Sequence, residues 1–475
     1  MIKSLLILLL LFIGCTSIPS VQKDRQLTHI SLENAEKNSE RSSAFKQGDW
    51  PSPKWWKMFS DPYLSSLIEL GLKESPTLKK AEARFAAAKE MAKSKRSFLF
   101  PKLDFEAETN WQYFGKNSFF RSIAIDFPST LNQIDLQFQF DYEFDFWGKN
   151  RHMFRAALGL AKAQEAEKAQ AELLLATSIA HTYFVMQKEL KVLDILIQIK
   201  ELRAQLLQLV KSRYKHGIDT QINDLDSEKL LLDIQTMIYV IQKQLALDKH
   251  MLESLMGQNP DSLNLENIPF SPLNPFPLPQ SLAANLLARR PDLMASIWRA
   301  EAAAEEIGVA KAAFYPNVDL SAFAGLESLH FNTLFSSNSY LASLNPAINL
   351  PLFTGGRLRA NLRTKEAQFE EALQGYNETL LNAAREVADE LATLRLTHEQ
   401  LKIEKNTLYT LEQRHDLFVS RQKKAIGNAL QVISAKEDVL NQELKLVDLS
   451  YLQLSSALKL IKSLGGGYHF EGELK

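Results

Sequence analysis

The chain has 475 residues, 45 % hydrophobic and 23 % charged, with 55 Lys and Arg against 56 Asp and Glu. A net charge of −1 excludes a general attraction to nucleic acid, and so balanced a composition excludes a disordered tail. A single cysteine excludes an internal disulfide and a Cys-based zinc cluster, and 18 Gly with 17 Pro are too few breakers for anything but long elements, mostly helices.

The N-terminus reads as an address. Lys3 precedes an unbroken apolar run over 5–13, so residues 1–14 form a signal peptide too short to span a bilayer as a permanent helix. Cys15 follows Ile13-Gly14, which resembles a bacterial lipobox and makes Cys15 the expected lipidated mature N-terminus. The alternative is a free thiol behind an ordinary signal peptide. Thr16 and Ser17 follow, not the Asp that holds enteric lipoproteins at the inner membrane, so the outer membrane is expected. Residues 15–49 are polar and read as an extended segment, and the Trp55-Trp56 pair beyond them reads as packing.

An internal duplication organises the remainder. Pro76 and Pro291, each opening an Ala-rich stretch, lie 215 positions apart, and so do Pro101 and Pro316. Phe146-Trp147-Gly148-Lys149 returns as Phe353-Thr354-Gly355-Gly356-Arg357, and Gly217 has its counterpart in Gly427. The first repeat covers 50–260, a Pro-rich linker 261–280, the second repeat 281–465 and a tail 466–475. Each repeat reads helix, strand, strand, long helix, glycine break, long helix.

Strands are expected near 102–113 and 133–147. In both, aromatic and aliphatic residues alternate with Asp104, Glu106 and Glu108, and with Asp135, Asp141, Glu143 and Asp145. Period two with an aromatic face and an acidic face suits a barrel wall between lipid and water, and also a hairpin lying on a soluble core. As a lumen wall these seven carboxylates, with no basic residue among them, predict a preference for cations. A second pair, near 317–326 and 344–353, alternates less cleanly.

The long helices carry heptads: Leu373, Leu380, Val387, Leu394, Leu401 and Leu408 in one, Ile179, Met186 and Leu193 in another, with Tyr183, Leu190 and Ile197 as its second seam. One helix over 357–424 would reach about 100 Å. Four strands cannot close a barrel, so several chains must share one, and three would supply twelve strands.

Trp55-Trp56-x-x-Phe59-x-Asp61, Arg289-Arg290-Pro291-Asp292-Leu293, the run from Ile307 to Pro316 and Pro351-Leu352-Phe353-Thr354-Gly355-Gly356-Arg357 resemble the TolC-like outer-membrane efflux family, in its OprM/NodT-like lipoprotein branch. Thr354 stands where the family usually has Asp. The resemblance implies a mainly α chain with a membrane β-barrel: a homotrimer with twelve shared strands and a long periplasmic α-barrel of coiled-coil hairpins. It also implies docking to a periplasmic adaptor fed by an inner-membrane pump, with the turns at Gly217 and Gly427 at the periplasmic tips. The family places an acidic aperture residue after the second tip, before an Ala. Ser434 occupies that place here, so the charge is expected from Asp226, with Asp224 nearby.

No catalytic constellation is present: the nine His are scattered without a metal-ligand spacing, and Gly465-Gly466-Gly467 reads as a helix stop rather than a phosphate loop. No enzyme, cofactor or metal is expected. The function expected is a passive exit duct; a type I secretion duct and a periplasmic coiled-coil scaffold are the alternatives.

Overall fold

The computed structural model describes residues 30–469, apart from 125, 264–272, 274, 280, 281, 283–285, 287 and 288. Residues 1–29, with the signal segment and Cys15, lie outside the described residues, as does most of the linker.

The helices are α1 Glu33–Glu40, α2 Pro62–Glu74, α3 Pro76–Ser97, α4 Phe119–Ile123, α5 Lys149–Lys215, α6 Gln221–Leu255, α7 Pro291–Ala312, α8 Arg357–Lys423 and α9 Ala429–Ser463. The strands are β1 Phe45–Gln47, β2 Lys102–Tyr113, β3 Thr130–Glu143, β4 Phe276–Leu278, β5 Asn317–Ser328 and β6 Tyr340–Asn349. The chain divides into two compact units, each drawing on both repeats. The first holds 85–164 and 296–376, the second 27–84, 165–295 and 377–475.

In the first unit β2, β3, β5 and β6 form one antiparallel sheet in that order, leaving β2 and β6 as its edges. The register sorts side chains by chemistry. One face carries Leu103, Phe105, Trp111, Phe138, Leu320, Leu344 and Ile348; the other carries Asp104, Glu106, Asp135, Asp141, Asp319 and Asn345. The second strand pair alternates less cleanly than the first, since Phe323 opposite Gln139 and Leu341 opposite Gly325 fall on the acidic face. Its apolar positions are filled by small residues such as Ala322, Ala324 and Ala342, which hide the period in the sequence. β6 starts four residues earlier than 344 and ends at Asn349, because Pro351 removes a donor. Its other proline, Pro346, sits on an edge strand, where a missing N–H costs no ladder bond to this chain.

Beneath the sheet, helices pack through small residues. Ala92 of α3 meets Ala157 and Ala161 of α5. A Cβ on Gly159 would lie 3.1 Å from Ala302 Cβ, so only a very small residue fits where α5 crosses α7. Ile307 and Ala310 of α7, with Phe314 just past its end, pack on the buried Leu358 and Leu362 of α8.

The second unit is held by a core joining Trp55, Trp56, Ile68, Tyr183, Met256, Leu394, Leu458 and Ile461. Asp61 caps α2 by accepting from the Tyr63 and Leu64 N–H groups, and its other oxygen accepts from Tyr183 Oη at 2.7 Å. Arg290 donates to Asp292, to Glu386 at 3.0 Å and to the Ser463 carbonyl at 3.0 Å. α9 ends on Gly465–Gly467, all at positive φ. A Cβ at Gly465 would lie 1.8 Å from the Arg289 carbonyl oxygen, so the triplet is also a close backbone crossing. The linker is not wholly open: Phe276–Leu278 pairs in parallel with β1.

α5 and α8 are 67 residues each, about 100 Å of continuous helix. Leu373 to Leu401 at heptad spacing are buried, as are Ile179, Met186 and Tyr183. The second seam fails at its end. Ile197 is 42 % exposed, and Ile195, Leu196 and Ile199 are buried in its place. A helix of 3.6 residues per turn drifts off a strict heptad by about 20° per repeat, which turns Ile197 outward.

Candidate functional site

Two places hold the residues singled out from the sequence: the acidic face of the sheet, in the first unit, and the helix turns, in the second.

On the sheet, Asp104, Glu106 and Glu108 of β2 share a face with Asp135 and Asp141 of β3, and the register adds Asp319 and Glu327 of β5. Those last two do not stand out in the sequence because β5 carries only these two acids, eight residues apart, with Phe323 and Gly325 on the same face between them. Glu108, Asp135 and Glu327 stand side by side across three strands, a row of like charges that costs stability unless solvent or counter-ions screen it. Amides and hydroxyls separate the remaining carboxylates: Gln137 Nε2 donates to Glu106 at 3.1 Å, and Ser321 Oγ to Asp141 at 2.7 Å.

Two expectations are corrected here. The face does carry a basic residue, since Lys102 lies in register with Asp141 and pairs with Asp104. Asp145 is not part of the wall. β3 ends at Glu143, and Asp145 instead accepts from the Asn150 and Arg151 N–H groups, capping α5 at its positive end. Glu143, at the strand end, accepts from Lys149 Nζ at 2.9 Å. The junction is braced by Trp147, stacked on Tyr315 at 4.5 Å and donating from Nε1 to the Pro316 carbonyl.

At the first turn, Gly217 has φ +71 and nothing within 4 Å of an added Cβ. Its N–H donates to the Tyr214 carbonyl while Ile218 N–H donates to that of Arg213, the paired bonds of a Schellman ending. The second turn makes the same two bonds, but from Ala425 to Gln422 and from Ile426 to Arg421. Ala425, at φ +58, is thus the left-handed residue and the counterpart of Gly217. Gly427 is two positions further on, not left-handed, and is needed for space: a Cβ there would lie 2.7 Å from the Gln422 nitrogen. Thr220 and Asn428 then cap α6 and α9.

With the turns so matched, Asp226 of α6 and Ser434 of α9 occupy equivalent places 208 positions apart, and both are exposed. Asp224 is half-buried in the first turn of α6, and its Oδ1 is buried without a hydrogen-bond partner. Asp219 is already committed: Asn223, Arg213 and the Thr220 N–H all donate to it and hold its carboxyl below the usual range. Ile218, Ile222, Leu225 and Ile426 are exposed around these turns.

Further along, Arg203 of α5 donates to Glu437 of α9, and Ile195, Leu196, Ile234, Ile238 and Leu440 form a second core among α5, α6 and α9. Outside that core α8 presents Leu396, Ile403 and Leu417, and α6 presents Leu225, Leu232 and Tyr239, all exposed and at heptad spacings. Among the described residues no helix is long and apolar enough to cross a membrane, and no cluster of three or more His, Cys, Asp or Glu could hold a metal ion.

The model of the outer membrane efflux protein family matches the chain twice, over 67–258 and 282–466. The multidrug resistance outer membrane protein MdtP of Escherichia coli strain K12 is 30 % identical over 429 residues, 88 % of this chain and 87 % of the relative. The outer membrane protein VceC of Vibrio cholerae is 32 % identical, with a TM-score of 0.79 covering 88 % of this chain and all of that one. The CmeC outer membrane channel of Campylobacter jejuni, at 20 % identity, shares the fold with a TM-score of 0.81 over 97 % of this chain and 96 % of its own. A sheet with one lipid-like and one acidic face, two matched helical hairpins and two matches to one family model lead to one conclusion: the chain belongs to the outer-membrane efflux protein family and is an efflux channel of the outer membrane.

Proposed function

We propose that three copies assemble into the exit duct of a multidrug efflux system, taking substrates from a periplasmic adaptor and an inner-membrane pump and releasing them outside. One observation carries the reading. The sheet has an apolar face, an acidic face and two unpaired edges, β2 and β6. Unpaired backbone groups are not tolerated in lipid, so these edges must pair with other copies, and twelve strands leave a water-filled lumen. The acidic face then lines the lumen. The heptad stripes of α6 and α8, exposed among the described residues, are the surfaces through which neighbouring copies extend that lumen as an α-barrel. Relatives named for multidrug resistance support the substrate class, and Cys15 would add a lipid anchor.

The narrowest point of the duct is assigned to the helix turns, where three-fold symmetry brings copies of Asp226, and beside them Asp224, towards one axis. Like charges so gathered repel unless cations or protons neutralise them. In planar bilayers the wild-type protein should show low conductance and block by divalent cations. Asp226→Ala should raise conductance or remove the block. An unchanged conductance and an unchanged block in that variant place the aperture elsewhere; heat-resistant oligomers of three chains without any conductance contradict the duct itself.

A further inference from the structure

In the second unit, α5, α6 and α9 bring together ionisable side chains that conduction does not require. Glu189 of α5 is 4 % exposed, and its Oε2 is buried without a hydrogen-bond partner. The Glu189 side chain reaches hydrogen-bonding range of Asp248 on α6, whose Oδ2 also accepts from Gln244 Nε2 at 3.1 Å. Two ionised carboxylates only accept, so their contact is repulsive. One proton shared between them makes one a donor and the contact attractive.

The groups facing this pair do not supply a competing counter-charge of full strength. Lys188 of α5 is the nearest cation, but its Nζ lies over the Tyr451 ring of α9 at 5.0 Å and 3.9 Å from Asp448. His181 of α5 lies 3.1 Å from Tyr451 Oη. Burial first, and then Lys459 of α9, push its pKa below the ordinary value against the pull of Asp248. Burial raises Tyr451 in the same way. For Glu189, burial and then the Asp248 charge push the carboxyl up to about 7, with Lys188 opposing.

We propose that Glu189 and Asp248 share one proton and form a pH-sensitive clamp between α5 and α6, closed in acid and released in mild alkali. The rise from an ordinary carboxyl near 4.5 to about 7 is about a 300-fold tightening of proton binding in the folded chain. The folded state therefore holds a proton that the unfolded chain has lost, and stability falls as pH rises from about 4.5 to about 7, then levels off. α6 is the helix whose first two turns carry Asp224 and Asp226, and Asp248 lies about 33 Å further along it. Loosening α6 at the clamp frees its turn end. The clamp itself does not depend on the proposed aperture; its effect on conduction rests on that reading.

The test uses the full-length protein in detergent, with Glu189→Gln as a neutral isostere and Asp248→Asn as the partner variant. Infrared difference spectra from pH 5 to 9 should show the carbonyl stretch of a protonated acid disappearing with a midpoint near 7. Glu189→Gln should lack that band, and Asp248→Asn should move it to lower pH. The thermal midpoint of the wild type should fall relative to Glu189→Gln over pH 5 to 7 and run parallel above it. A wild type without such a band, or two proteins whose stabilities run parallel throughout, overturns the clamp. Conductance separates the two readings: a band that titrates while the pH response of conductance is the same in wild type and Glu189→Gln keeps the clamp and refutes its link to the aperture.

Discussion

The two helix turns make the same hydrogen bonds with different residues, and exchanging those residues tests the matched geometry directly. Gly217→Ala puts a Cβ where nothing lies within 4 Å, so any loss comes from the backbone alone. The left-handed conformation costs a non-glycine residue about 1–2 kcal/mol. Alanine also restricts the opened turn, which offsets about 0.4–1 kcal/mol. The net is about 1 kcal/mol, or about fivefold in the population of the opened turn. Ala425→Gly reverses both contributions and should close the second turn by a similar factor. Gly427→Ala works differently: its Cβ meets the Gln422 nitrogen at 2.7 Å, and such crowding costs about 1–3 kcal/mol. Amide hydrogen exchange on the intact protein, read on peptides spanning 210–222 and 418–430, measures all three. Exchange should quicken at Ile218 in Gly217→Ala, slow at Ile426 in Ala425→Gly and quicken most in Gly427→Ala. If Gly217→Ala and Ala425→Gly shift exchange in the same direction, or both by less than twofold, the equivalence of residues 217 and 425 is wrong.

Cys15→Ser should abolish incorporation of radioactive palmitate while heat-resistant oligomers still form; persisting label contradicts lipidation at that residue. The reversal potential across a salt gradient should show cation preference, since the acidic face carries eight carboxylates on β2, β3 and β5 that Lys102 does not offset; an anion-selective potential contradicts the assignment of that face to the lumen. Arg290→Met should cost about 3–5 kcal/mol in thermal unfolding, because it leaves Asp292 and Glu386 facing each other without their cation; a loss below about 1 kcal/mol contradicts that account.

Much of this architecture is legible in the sequence because two periods dominate it. Period two over 102–113 and 133–143 and period seven over 373–401 each correspond to one face of one element, and both appear as such. The misreadings share a physical origin: pattern continues where backbone geometry changes. Tyr142, Phe144 and Phe146 keep period two past the end of β3, so Asp145 looks like a wall residue although the chain has already turned to cap α5. Gly217 and Gly427 look equivalent because glycine is the usual left-handed residue. Nothing in the letters shows that Ala425 accepts that conformation, leaving Gly427 to answer a steric need. Glu189 and Asp248 were invisible for a different reason. Fifty-nine positions apart on two helices, they become neighbours only when α5 and α6 fold back on each other.

The lengths of the duplicated elements show where the two repeats were free to diverge. α3 and α7 have 22 residues each, β2 and β5 have 12, α5 and α8 have 67, and α6 and α9 have 35. The spacing nonetheless drops from 215 at Pro76 and Pro291 to 208 at the turns. The whole difference falls between the ends of β2 and β5 and the starts of α5 and α8. There the first repeat has a loop five residues longer and a second strand four longer, and a junction two shorter. A loop at the end of a hairpin changes length without moving anything packed on it. A helix lying beside its counterpart has no such freedom, because one added residue rotates every later side chain by about 100° and turns a buried heptad outward. Equal helix lengths therefore keep Asp226 and Ser434 at equivalent places in two hairpins, one carrying a charge there and the other a hydroxyl.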